Sequence, residues 1–166
     1  MNLRRKRSIC RTSRSKNILI KSIPHLFCWH EEKCDTVPHA AEVIGCTEGE
    51  IAKTMSFIVD EQPICIVCAG DVKISNPKYK SFFGKKAKMV PWDTVEEIIG
   101  HEPGGVCPFA LNENVKVYLD VSLKRFSVVH AAAGAIQATA TMTVPELEKY
   151  SCCHEWIDVC ELIEKQ

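Results

Sequence analysis

Residues 54–69 read TMSFIVDEQPICIVCA: two apolar, β-branched runs, Thr54–Val59 and Ile64–Ala69, either side of the polar stretch Asp60-Glu61-Gln62-Pro63. That spacing predicts a β-hairpin. Strands and helices are interspersed along the rest of the chain, and an antiparallel pair among them argues against a purely parallel, doubly wound sheet. The fold class expected is α+β: a single domain with a mixed, curved β-sheet or partial barrel flanked by helices.

Upstream of the hairpin, Val37–Ile44 reads as a short helix stopped by Gly45. Thr47-Glu48-Gly49-Glu50 has capping-box spacing and opens a second helix, which puts Lys53 at a helix-to-strand junction. Downstream, Asn76-Pro77 starts a helix over Lys78–Phe83, and Lys88–Val90 is a brief strand. Asp93-Thr94-Val95-Glu96 caps a helix that ends at Gly100. Val115–Leu119, Ser127–His130 and Ile136–Thr143 read as strands, and Thr143-Val144-Pro145-Glu146 caps another helix. In Glu155–Glu164, the residues Trp156, Val159, Leu162 and Ile163 fall at helical spacing.

The chain has 166 residues, 46% hydrophobic and 25% charged, enough to bury one core. It holds no apolar stretch near the roughly 20 residues a membrane helix needs. Net charge is zero, but residues 1–21 carry eight of the 21 Lys/Arg and none of the 21 Asp/Glu, so the remainder has 13 basic against 21 acidic residues. An acidic body argues against gripping long stretches of phosphate backbone; any nucleic-acid contact should be small and local. The basic start, MNLRRKRSICRTSRSK, resembles a transit peptide in composition but lacks an apolar face of helical period. We therefore expect residues 1–24 to be an extension outside the fold, residues 25–166 to be the domain, and the protein to be cytoplasmic.

Ten cysteines raise a metal or redox reading. Cys65-Ile66-Val67-Cys68 lies in a strand, where residues three apart point to opposite faces and cannot converge on one ion. Cys152-Cys153-His154, on a helix with Cys160, completes no recognisable tetrahedral set. Buried free thiols in a reducing compartment fit this spacing, and no metal is expected. A thiol redox or zinc protein stays as an alternative resting on cysteine count alone.

The densest local signal is Gly100-His101-Glu102-Pro103-Gly104-Gly105-Val106-Cys107-Pro108-Phe109, with three glycines and two prolines directly after a helix. Such a loop can aim N–H groups at an oxyanion, carbonyl or phosphate, or it can be a structural turn. Lys53 stands alone between apolar runs, either as a solvated lysine or as a site cation. A Cys107 nucleophile with His101 or His130 as base is a further reading; no G-x-S-x-G elbow supports a serine hydrolase. Lys73, Lys78, Lys80, Lys85, Lys86 and Lys88, interleaved with Tyr79, Phe82 and Phe83, form either a nucleic-acid contact or a solvated face.

Taken in order, Thr36-Val37 with Ala40-Ala41, Ile51-Ala52-Lys53-Thr54, Ala69-Gly70-Asp71, Gly100–Phe109, Val117-Tyr118-Leu119-Asp120 and Ala133-Gly134 resemble the YbaK/EbsC family of aminoacyl-tRNA deacylases, the prolyl-tRNA-synthetase-associated editing domains. The resemblance implies hydrolysis of the ester joining a wrong, small amino acid, such as alanine or cysteine on proline tRNA, with no cofactor. The partners implied are the aminoacyl-tRNA acceptor end and prolyl-tRNA synthetase or another synthetase. Lys53 would hold the terminal adenosine, and the Gly104 and Gly105 amides would face the ester carbonyl. Gly100, His101, Pro103 and Val106 of the loop, with Thr36, Ala133 and Gly134, would line the substrate pocket. Trp29 and Thr139 occupy positions where some members carry an aromatic and an acidic residue. Those two departures leave open a non-catalytic module that binds a tRNA 3′ end or an aminoacyl-adenosine.

Overall fold

In the computed structural model, which describes residues 26–165, the hairpin forms and is tighter than expected. β2 (Ile51–Val59) and β3 (Gln62–Ala69) pair antiparallel from Ala52↔Ala69 to Val59↔Gln62. Only Asp60 and Glu61 remain in the turn, with φ of 49° and 65°. Two consecutive residues with positive φ mark a type I′ turn, whose twist matches that of the strands it joins. Gln62 and Pro63 belong to β3. The left-handed conformation costs an L-residue about 1–2 kcal/mol. Glu61→Gly is therefore expected to raise unfolding stability by about 0.5–1 kcal/mol after the entropy glycine adds to the unfolded chain. Urea unfolding midpoints check this; a lower midpoint would refute it.

Further strands extend the hairpin on both sides. β5 (Lys116–Asp120) runs parallel to β3, and β8 (Glu155–Ile157) parallel to β5. On the other side β6 (Val128–Ala132) is parallel to β2, β7 (Ala138–Thr143) antiparallel to β6, and β1 (Phe27–Trp29) antiparallel to β7. Among the described residues this gives a mixed seven-stranded sheet, ordered β1-β7-β6-β2-β3-β5-β8. β4 (Val72–Ile74) and β9 (Cys160–Leu162) make a separate antiparallel pair. Ile64–Ala69 is at most 1% exposed, which explains an unbroken apolar run: both faces of this central strand are covered. Cys65 neighbours Cys107, whereas Cys68 shares a hydrogen bond with Cys160, and burial pushes the Cys65 thiol well above its ordinary pKa.

The helices are α1 (Val37–Ile44), α2 (Asn76–Phe83), α3 (Val95–Ile99) and α4 (Val144–Ser151). α1 is capped by Thr36 Oγ1, which accepts from the His39 N–H at 3.3 Å, and α4 by a reciprocal Thr143/Glu146 capping box. α1 packs through a small cluster of its own, Ala40 and Ala41 on Ile51, apart from the main core. Among the described residues no helix is long and apolar enough to cross a membrane.

Three expectations are corrected. The Thr47 capping box exists, but it opens a single 3-10 turn over Glu48–Glu50; pairing of Ile51 with His130 draws the chain straight into the sheet. Lys53 is consequently the third residue of β2. Asp93 does not cap: Trp92–Thr94 is a 3-10 turn, and Thr94, which precedes α3, makes no side-chain cap. Glu155–Glu164 is β8 and β9, not a helix, because sheet edges recruit it and the buried Asp120 carboxylate accepts the Val159 N–H at 2.9 Å. Its would-be helical stripe is split accordingly, with Val159 buried but Leu162 62% exposed. Cys152, Cys153 and His154 therefore follow α4 instead of sharing a helix with Cys160. Lys88–Val90 contributes one bridge, Phe57↔Met89. The basic extension expected at 1–24 falls outside the described residues.

Candidate active site

Between α1 and the face of β2, β6 and β7 lies a cavity of about 180 Å³, comparable to the ~150 Å³ that accommodates a benzene-sized group. Cys34–Val37, Ala40 and Ile44, on α1 and the segment before it, roof the cavity, and Ile51, Lys53, Thr54, His130, Ala132, Ala138 and Thr139 line it from the strands, joined by Gly104 and Val106. Lys53 is two residues beyond Ile51 on one face of β2, and Ile51 pairs with His130 across the parallel β2–β6 ladder.

The Lys53 ammonium donates to the Gly70 carbonyl at 3.5 Å and, more closely, to the Val72 carbonyl. An ammonium has three donors, so one is left for a ligand. The seat depends on a close approach: a Cβ on Gly70 would lie 2.1 Å from the Glu48 carbonyl oxygen and 2.6 Å from Val37 Cγ1. Next to it, Asp71 accepts a two-pronged bond from Arg125 at 2.5 and 3.0 Å, which holds the Asp71 carboxyl below its ordinary pKa and fixes the turn. The Thr54 hydroxyl, on the face of β2 opposite Lys53, is buried without a hydrogen-bond partner.

In the glycine-rich loop only Gly104 and Val106 reach the cavity. Gly104 is exposed with φ +83°, and its N–H has no protein acceptor among the described residues. The Gly105 N–H instead donates to the Glu102 carbonyl at 3.0 Å, closing a tight turn. Gly100 ends α3. His101 is 8% exposed and braces the loop: its Nδ1 accepts from the Cys107 N–H at 3.2 Å, while Nε2 pairs with the Ala110 carbonyl at 3.2 Å. That pairing places the proton on Nε2. Cys107 is 1% exposed with its sulfur also near the Phe109 carbonyl, so the thiol is sealed from substrate and the Cys107–His101 pair is structural.

Of the other positions expected from sequence, Thr36 and Thr139 line the cavity. Pro103, Ala133, Gly134 and Trp29 do not. Ala133 and Gly134 form the β6–β7 turn, and Trp29 is 60% exposed on the edge strand. The lysine patch is largely committed elsewhere: Lys78 donates to Asp158 at 2.8 Å and to the Cys160 carbonyl at 2.9 Å, and Lys85 pairs with Asp60. Lys80 and Lys86 have no such ion pair among the described residues, and none of the four lines the cavity. Among the described residues no three His, Cys, Asp or Glu side chains gather as a metal site.

The sequence suggested His130 only as a base for Cys107 and did not single out His30; the structure gives each a different place. His130 lines the cavity, its Nδ1 sharing a hydrogen bond with Thr141 Oγ1 at 2.8 Å. His30 Nε2 shares one with Thr139 Oγ1 at 2.7 Å. Val129 and Ala131 on either side of His130 are fully buried, so alternation puts the imidazole on the other face of β6, with Ala132.

Fold and cavity together define an aminoacyl-tRNA editing domain: residues 31–150 match the model of that family, and the chain belongs to it. The chain is 48% identical over 132 residues to the uncharacterized protein YwhH of Bacillus subtilis (strain 168), covering 79% of this chain and 84% of that protein. It is 28% identical over 110 residues to the proline–tRNA ligase of Bacillus pumilus (strain SAFR-032), spanning 66% of this chain but only 19% of the ligase. Among solved structures, the hypothetical protein APE2540 superposes with a TM-score of 0.75 at 25% identity, over 86% of this chain and 99% of that one. A candidate trans-editing enzyme for prolyl tRNA synthetase shares the fold, with a TM-score of 0.77 at 22% identity over 88% and 96% of the two chains.

Proposed function

We propose that this chain hydrolyses the ester between a small, wrongly attached amino acid and the 3′ end of a tRNA, with proline tRNA as the acceptor its relatives suggest. The observation that carries this reading is the cavity itself, small and lined mostly by apolar residues, with the Lys53 cation and Gly104, whose N–H has no protein acceptor among the described residues, in its lining. Water adds to the ester carbonyl carbon, the carbon–oxygen bond to the ribose breaks, and the ribose oxygen takes up a proton. Free amino acid and uncharged tRNA leave. The Gly104 N–H stabilises the developing oxyanion, which a preorganised donor does without reorganisation during reaction. The Gly105 N–H, spent on its turn, is not a second donor. The third Lys53 donor holds a ribose or phosphate oxygen of the terminal adenosine. An aminoacyl ester is already activated, so placement and charge stabilisation suffice without a protein nucleophile.

The test is release of amino acid from a panel of mischarged tRNAs by the purified protein. Absence of hydrolysis across the panel would discard the deacylase reading and leave a tRNA-end binding module. Trp92 adds a second check. Its indole is 72% exposed, and Cη2 lies 3.9 Å from where a Gly104 Cβ would stand, at the rim of the site. Stacking of a base on an aromatic ring contributes about 1–3 kcal/mol. Trp92→Ala is therefore expected to raise KM for charged tRNA on the order of tenfold with little change in kcat; an unchanged KM would remove Trp92 from binding.

A further inference from the structure

The Lys53 ammonium is seated by two carbonyls, Gly70 and Val72, of the turn that leaves β3, and no residue of that turn lines the cavity. Whatever fixes the turn therefore fixes the direction of the third Lys53 donor. Resting on the deacylase reading, we infer that Arg125 is a positioning residue for Lys53. It clamps Asp71, which lies between the two carbonyls in sequence, and so aims the ammonium at the tRNA end from outside the cavity.

Arg125 ends the 3-10 turn Val121–Arg125, which follows β5 and is itself anchored in the core. The buried Asp120 carboxylate accepts the Ser122 N–H at 2.9 Å through one oxygen and the Val159 N–H at 2.9 Å through the other. Ser122 Oγ accepts the Ala69 N–H at 3.1 Å, and the Ser122 carbonyl accepts from Arg125 Nε at 3.0 Å. Nη1 and Nη2 of the same guanidinium reach the two Asp71 oxygens at 3.0 and 2.5 Å. Residues 69–72 are thus held at their start by Ser122 and in their middle by Arg125. A two-pronged pair fixes direction as well as distance, which a point contact does not.

A second contact ties the clamp to the strand that bears Lys53. The Phe126 ring lies 4.9 Å from the Arg125 guanidinium and close against Gly49, where a Cβ would stand 2.5 Å from Phe126 Cζ and 3.0 Å from Asp71 Oδ2. Gly49 belongs to the 3-10 turn that leads straight into β2. Arg125 and Phe126 therefore brace both chain segments, one leading to Lys53 and the other carrying its two acceptors. The Arg125 and Asp71 side chains are 41% and 28% exposed, and an ion pair so open to water contributes little to stability. Its loss moves the turn more than it unfolds the protein.

The experiment measures kcat and KM on the mischarged proline tRNA that the wild type cleaves fastest. Loss of folded protein lowers apparent kcat and leaves KM unchanged, whereas a misaimed Lys53 raises KM. Arg125→Ala and Asp71→Asn are each expected to raise KM on the order of tenfold with kcat within about threefold of wild type, and the double variant no further than either alone. Arg125→Lys, which keeps the charge as a point contact, should recover part of the loss. In a Lys53→Ala background, Arg125→Ala should change kcat/KM by less than about twofold, because its route to the substrate is gone. Arg125→Lys and Asp71→Asn keep the test open if Arg125→Ala does not fold. A wild-type KM in the Arg125 and Asp71 variants overturns the inference, and so does a loss confined to kcat, which assigns the pair to stability alone. An equal loss with Lys53 present or absent overturns it too, because Arg125 then meets the tRNA directly. All three leave the deacylase reading standing; absence of cleavage by the wild type discards that reading and the inference with it.

Discussion

Lys53→Ala is expected to lower kcat/KM on a cleavable aminoacyl-tRNA by about 10²–10³-fold, the scale of losing a charged contact that positions the substrate. The side chain occupies a half-buried seat on β2, and two of its donors go to the carbonyls of Gly70 and Val72. Alanine removes the remaining donor from the substrate and also leaves those carbonyls without their cation. The second effect costs stability on the order of 1 kcal/mol, so the fold persists and far-ultraviolet circular dichroism should be unchanged. If Lys53 holds the tRNA end, most of the loss appears in KM; a loss confined to kcat would transfer the lysine to the chemical step. Activity close to wild type would remove Lys53 from the site.

Gly104→Val should be the second most damaging change. The φ of +83° is one that a β-branched residue adopts only with strain, on the order of 1–2 kcal/mol. Space is not the obstacle, since the nearest atom to an added Cβ is Trp92 Cη2 at 3.9 Å. The loop will relieve the strain by turning the 104 peptide, and with it the N–H assigned to the oxyanion. A loss of about 10²-fold in kcat follows, with KM less affected. Gly105→Ala, where an added Cβ meets only the Glu102 carbonyl at 3.5 Å, should lose far less. Equal damage from both variants would show that the loop's shape matters and the Gly104 N–H does not.

The hairpin, the mixed sheet, α1 and the Gly104 loop were legible because each is written in local terms: a β-branched run, a cap, a glycine after a helix. The C-terminal segment was not. Trp156, Val159 and Leu162 satisfy helical spacing, yet the free edges of β5 and β4 decide their state, and edges belong to the assembled sheet. The same divide runs through the site. Lys53, Thr36, Gly104, Val106 and Thr139 could be taken from ordered motifs, but His101 sits inside the best motif and turns out to brace it. His130 reaches the cavity through the parallel register of β6 on β2, which connects residues nearly eighty positions apart and leaves no mark in either strand alone.

α1 rests on the sheet through Ala40, Ala41 and Ile51, a cluster separate from the large core beneath β2 and β3. Regions with few buried apolar contacts open locally at a fraction of the global unfolding free energy. Amide hydrogens of Ala40–Ile44 should accordingly exchange well before those of Cys65–Ala69 in deuterated solvent, and a bound substrate analogue should slow the first group and not the second. On the proposed deacylase reading, the aminoacyl group gains its way in and out through breathing of one short helix, while β2 and β6 stay in place.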